Sequence, residues 1–144
     1  MRRWHEIVKL YANARLVDNY RIDVDDGRHA ICLDLDQEVG GTDLGPSALE
    51  LALMSFAGCY SAIFMLTAHK MRATVEELKV NAEAIKTDQA GTITETKVEI
   101  KARTTLPEDR MRRLHELTVK GCPVGRLFEK AGVKIIYNLN FEKA

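Results

Sequence analysis

The chain has little that would draw it to a polyanion or tie it to an oxidising compartment. Lysine plus arginine and aspartate plus glutamate stand at 21 each in 144 residues, so there is no net positive field to collect nucleic acid or anionic lipid. Three cysteines, Cys32, Cys59 and Cys122, are an odd number and too widely spaced for a disulfide framework. There is no CxxC and no Cys/His ligand spacing, which argues against zinc or any other metal. The opening MRRWHEIVKLYANARL has basic residues but no apolar core and no small-residue cleavage site, so it does not read as a secretory signal and a cytoplasmic location is the expectation. No repeat, linker or low-complexity tract is visible. What remains is a chain of single-domain length, residues 1–144, with 46% hydrophobic residues and enough apolar material for one core.

The pattern from Glu6 to Leu35 is β-like. Runs such as EIVKLYA and YRIDV, broken by Asp25-Asp26-Gly27, suggest three strands and a hairpin. In HAICLDL the alternation puts Ile31, Leu33 and Leu35 on one face and Cys32 on the other, as a bystander. EVGGTDLGPS is a loop. It leads into a helix starting at Ser47, where Ser47 and Glu50 have the spacing of a capping box.

The helix carries the most apolar run of the chain, ALELALMSFAGCYSAIFMLTA. Leu51 to Ala68 are eighteen residues without a charge, the lower limit for a membrane span. Its Ala, Gly, Ser, Thr and Cys content and the amphipathic strands on both sides favour a core helix instead. A helix apolar all round needs cover on nearly every side, which one small sheet does not give, so a homodimer with this helix at its interface is favoured. Gly58 leaves room beside Cys59.

VEELKVNAEAIK and TITETKVEIKAR flank Thr87–Gly91 as two long strands and a hairpin, with Leu78, Val80, Ala82 and Ala84 alternating against charge. A second helix is expected from Thr105 or Leu106, with Pro107 in its first turn, Leu114, Leu117 and Thr118 inward, and Gly121 at its end. Cys122 then falls at the N-cap of a short helix PVGRLFEKA that stops at Gly132, and VKIIYNLNFE closes the chain as a strand. The order is βββ-α-ββ-αα-β, an α+β class.

A cysteine within an apolar helix is ordinarily packing. Two features raise the interest of Cys59. One is the space at Gly58; the other is Cys122, placed where helix amides and the positive dipole end would favour a thiolate. A peroxidatic thiol must be ionised, reachable by a small oxidant and near a second thiol that traps the sulfenic acid. The pairing requires Cα atoms within about 7 Å.

GGTDLGPSALELALMSFAGCYSA, followed by GCPVGRLFEKA and a final strand, resembles the OsmC/Ohr family of thiol peroxidases, particularly its OsmC-like branch. The resemblance covers nearly the whole chain. It implies two antiparallel sheets around the central helix, an intertwined homodimer and a two-cysteine peroxidase for small organic hydroperoxides. Cys59 matches the peroxidatic position and Cys122 the resolving one. A dithiol reductant, often lipoyl-linked, would reopen the disulfide, and no metal or organic cofactor is implied.

The family also uses an arginine from the N-terminal strands, for which Arg21 is the best positional match and Arg15 the second, and a glutamate that holds it. That glutamate lies ten residues before the peroxidatic cysteine, a position taken here by Leu49, whereas Glu50 lies nine before. At 100° per residue the offset turns the carboxylate to another face, so Glu50 is either the arginine's partner or only the cap of Ser47. His69 and His115 could assist proton transfer, but a lone histidine without a visible partner is more often a surface or satisfied residue, and Arg126, one turn beyond Cys122, could support a thiolate or face solvent. The alternative function is a non-enzymatic dimer whose interface cleft holds a small hydrophobic ligand.

Overall fold

The computed structural model describes residues 7–144, in two compact units, one ending at Leu51 and the other running from Ala52 to Ala144. In the first, β1 (Asn13–Asp18), β2 (Arg21–Asp25) and β3 (Ala30–Leu33) form an antiparallel sheet in the order β1-β2-β3. Asn19 turns the chain between β1 and β2 with φ 49, a left-handed conformation that asparagine tolerates, and its side chain donates to the Gly40 carbonyl at 2.8 Å. The Asp25-Asp26-Gly27 hairpin forms as its sequence suggests. Asp26 accepts from the Arg28 and His29 amides, and Gly27 supplies φ 90.

The strand expected in EIVKLYA is displaced. Ile7–Ala12 carries no strand, Glu6 lies outside the described residues, and the first strand is the adjoining NARLVD. The Asn19 turn fixes which residues face β2, and that turn selects Asn13–Asp18.

Asp34 organises the loop after β3. It is 2% exposed and accepts from the amides of Leu35, Thr42 and Leu44 and from the Thr42 hydroxyl, which together hold its carboxyl below the ordinary range. A Cβ on Gly45 would stand 2.0 Å from the Cys32 carbonyl oxygen, so only glycine allows the loop to fold back on β3.

Helix α1 runs from Ala48 to Lys70. Its start is the capping box: the Glu50 amide donates to the Ser47 hydroxyl at 3.2 Å and the Ser47 amide to the Glu50 carboxylate at 2.8 Å. In the second unit, β4 (Val75–Thr87) and β5 (Thr92–Thr104) pair antiparallel, and α2 (Glu108–Gly121) and α3 (Pro123–Lys130) lead to β6 (Lys134–Lys143). β6 lies beside β5 and runs parallel to it, so this sheet is mixed where two antiparallel sheets were implied. The α2–α3 crossover, long enough to carry the chain back, permits the parallel return. Helix α2 begins two or three residues later than its sequence suggested, because Pro107 stays extended as the N-cap.

The core of this unit is a stripe of α1, Phe56, Tyr60, Phe64 and Ala68 at four-residue spacing, packed with Val98, Ile100 and Ala102 of β5 and Met111 and Leu114 of α2. Leu114 and Thr118 are fully buried and Leu117 half-buried. By length and composition α1 could cross a membrane, but this stripe is wholly covered by the protein's own side chains.

Candidate active site

Cys59 lies at mid-length of α1 and Cys122 at the junction of α2 and α3. The fold brings the two thiols close enough to act on one another, with Cys59 half-buried and Cys122 1% exposed. Gly125 makes the approach possible. A Cβ there would stand 3.0 Å from the Phe56 ring and 3.4 Å from Cys122 Sγ, and its amide donates to Cys122 Sγ at 3.4 Å. Gly121 is similar, since a Cβ would meet Ile63 of α1 at 3.1 Å. These two glycines let the end of α2 and the start of α3 settle on the helix that carries Cys59.

The pair is electrostatically unequal. Burial pushes the Cys122 thiol up to about 11, the Gly125 and Val124 amides pull it down, and the hydrogen bond and charge of Cys59 raise it further. A thiolate at Cys122, favoured by its helix N-terminus, was the expectation; desolvation outweighs the amides and favours the protonated thiol there. Cys32 sits apart in the first unit, half-buried on β3, its thiol contacting the Leu33 carbonyl at 3.7 Å.

Gly58 is exposed, and a Cβ there would meet nothing within 4 Å, so crowding does not explain its glycine. Arg126 is turned away from the thiols' service and donates to the Lys120 carbonyl at 3.5 Å. His69 is exposed at the end of α1.

Arg21 and Glu50 belong to the first unit. Arg21 is half-buried on β2 and, among the described residues, forms no ion pair; Arg15 is exposed and engaged with Asp23 at 3.3 Å across the β1–β2 pair. The Glu50 carboxylate is occupied by Ser47, whose amide and hydroxyl lower its pKa.

Two side chains near the thiols, Tyr60 and Tyr137, carried no functional signal in the sequence, and a third, His115, was a candidate for proton transfer without a visible partner. Tyr60, fully buried, has its hydroxyl 2.6 Å from Nδ1 of His115, and Tyr137 of β6 stands edge-on to the His115 ring at 5.0 Å. Burial raises both phenols, helped at Tyr60 by Tyr137 and then Cys122 and at Tyr137 by Cys122 and then Glu129, which takes Tyr137 to about 12, while burial lowers His115 against the opposing pull of Glu116. In the tautomer protonated at Nε2, His115 Nδ1 accepts from the Tyr60 hydroxyl. The spacing of Tyr60 from Phe56 and Phe64 marks it as core and nothing more, and a histidine fifty-five residues away has no local sign of pairing with it.

A mixed three-stranded sheet and two helices enclosing a half-buried thiol beside a buried one define a class of α+β protein with a paired-thiol site. Residues 41–138 match the family model described as OsmC-like protein, and the chain belongs to that family. No curated protein sequence matches it. Among solved structures it is similar to the OsmC-like protein from Mycoplasma pneumoniae, with 18% identity over 93% of this chain and 97% of the other and a TM-score of 0.82. It is also similar to an organic hydroperoxide resistance protein OsmC from Legionella pneumophila, with 16% identity over 94% and 99% and a TM-score of 0.68. The organic hydroperoxide resistance protein OhrB of Bacillus subtilis matches with 18% identity over 92% and 98% and a TM-score of 0.62.

Proposed function

We propose that this protein is a thiol-dependent reductase of organic hydroperoxides. The observation that carries the reading is the neighbouring pair of Cys59 and Cys122, one thiol partly accessible and the other buried. The Cys59 thiolate attacks the distal peroxide oxygen, the O–O bond breaks, and the alkoxide leaves as an alcohol after taking a proton. Cys59 is left as a sulfenic acid. Cys122 then attacks that sulfur, the S–O bond breaks, and a disulfide and water result. A dithiol, of the lipoyl type in the family, reduces the disulfide by exchange. No metal or bound organic cofactor enters these steps.

Arg21 is the arginine we assign to the thiolate and peroxide, because Arg15 is already paired with Asp23. A guanidinium suits the role through its permanent charge and planar fork. Glu50 is assigned to the helix cap. The protein acts as a homodimer: Leu16, Tyr20 and Ile31 of the first unit and Met54 and Leu66 of α1 are all exposed, and such apolar surface calls for a partner. A cytoplasmic site of action fits two cysteines that must be reduced to work.

The competing reading, a binder of a small hydrophobic ligand, has weaker support. A cavity of about 800 Å³ between α2 and β6 has Leu106, Met111 and Phe141 in its wall beside Glu108, Arg112 and Lys143, a lining that is half polar, and it is not the dimer interface cleft in which that reading places its ligand. The two readings separate in a turnover assay with cumene hydroperoxide and dihydrolipoamide. Steady consumption that Cys59→Ser abolishes supports the reductase; consumption unchanged in Cys59→Ser, or none in the parent, contradicts it.

A further inference from the structure

Cys59 sits on the boundary between the covered and the open side of α1. At about 100° per residue, Phe56 and Ile63 lie roughly 40–60° to one side of it, and Ser55 and Ala62 roughly 40–60° to the other. The first side carries the segment 121–125: a Cβ on Gly121 would stand 3.1 Å from Ile63, and one on Gly125 3.0 Å from the Phe56 ring. Cys122, within that segment, is 1% exposed and has the Gly125 amide on its Sγ at 3.4 Å. The second side is open, with Ser55, Gly58 and Ala62 all exposed.

Thiol–disulfide exchange is a displacement through a mixed disulfide, with the attacking, attacked and leaving sulfurs nearly in line. In a Cys59–Cys122 disulfide, attack on Cys59 comes from the open side of α1, opposite the segment that carries Cys122. Attack on Cys122 would have to come from beyond its sulfur, where Gly125 and the buried Phe56 ring close on it. We propose that the reducing dithiol attacks Cys59 and that Cys122 is the leaving group, received by the Gly125 amide, so that hydroperoxide and reductant use one opening beside Ser55, Gly58 and Ala62. The proposal rests on the reductase reading above.

One thiol of the dithiol, ionised in solvent, bonds to Cys59 Sγ as the Cys59–Cys122 bond breaks, and Cys122 leaves as a thiolate. Cys122 takes the proton of the reductant's second thiol. That second sulfur closes on the first, the bond to Cys59 breaks, and Cys59 leaves as a thiolate ready for the next hydroperoxide. The sum is dithiol plus protein disulfide giving cyclic disulfide plus the reduced pair; the dithiol loses two electrons, one of its protons stands on Cys122 and the other is in solvent. Burial disfavours charge on Cys122, and the Gly125 and Val124 amides offset part of that cost while the thiolate exists.

The test oxidises the full chain with tert-butyl hydroperoxide, removes the excess and adds 2-mercaptoethanol, a monothiol that cannot complete the second exchange. Acid quench at early times, alkylation of free thiols and peptide mapping by mass spectrometry locate the mixed disulfide. The adduct should stand on Cys59, with Cys122 alkylated, by at least about tenfold over the reverse. An adduct on Cys122, an even division, or a disulfide that the monothiol does not open overturns the proposal. Ala62→Gln keeps a good helix former on the exposed face and leans its side chain over the turn that holds Cys59, so it should slow oxidation by hydroperoxide and opening by dihydrolipoamide alike. Slowing of one step alone, or of neither, overturns the shared opening. A parent that forms no Cys59–Cys122 disulfide with hydroperoxide overturns the reductase reading instead; diamide then forms the disulfide, and the mapping decides the direction of attack as before.

Discussion

Cys59 in α1 and Cys122 at the N-cap of α3 lie close enough for their thiols to act on one another, and Cys122 is the more deeply buried of the two. Desolvation and Cys59 together raise its pKa to about 11. Removing the neighbour in Cys59→Ala takes away two of the upward influences, so the pH dependence of Cys122 alkylation should shift down while burial still holds it above the ordinary thiol value. An unchanged profile would mean that the two thiols do not sense each other.

The same shift has a stability consequence. A thiol whose folded pKa exceeds its unfolded value binds more protons when folded, so its contribution is complete below about pH 9 and is lost as pH rises towards about 11. Two pH units correspond to roughly 2–3 kcal/mol. Urea unfolding from pH 8 to 11 should show a steeper loss in the parent than in Cys122→Ala; parallel curves would contradict the assignment.

Helix α1 depends on its cap. Ser47→Ala leaves the Glu50 amide without its hydroxyl partner and should cost about 1 kcal/mol in chemical denaturation. Glu50→Gln keeps an acceptor for the Ser47 amide and should leave peroxide reduction within about twofold of the parent. A tenfold or larger fall would show that the carboxylate also holds an arginine.

Gly125 should not tolerate a side chain. Gly125→Ala forces the added carbon against the Phe56 ring and Cys122, which should cost about 1–3 kcal/mol and slow disulfide closure. Full stability with normal closure would mean that α3 does not approach α1 as closely as described.

What could be read in the sequence follows from whether the signal was local. The capping box at Ser47, the Asp25–Gly27 turn, the β4–β5 hairpin and the stop at Gly132 are each specified within a few residues, and each appears in the structure. The first strand was displaced because EIVKLYA and NARLVD both look extended, and only pairing through Asn19 decides between them. The parallel direction of β6 is a property of the crossover rather than of VKIIYNLNFE. At the site, the helix N-terminus at Cys122 was legible, but the burial that outweighs it depends on Phe56 and Gly125 meeting across the fold. Tyr60 and His115 lie on inward faces of two helices far apart in sequence, and no periodicity marks them as partners.

The central claim is that Cys59 and Cys122 form one redox unit, and peptide mapping by mass spectrometry after one equivalent of tert-butyl hydroperoxide tests it most directly. The reduced protein should yield an intrachain Cys59–Cys122 disulfide with Cys32 still a free thiol, and Cys122→Ser should instead accumulate sulfenic acid at Cys59. Both thiols remaining reduced, or oxidation falling on Cys32, would contradict the account.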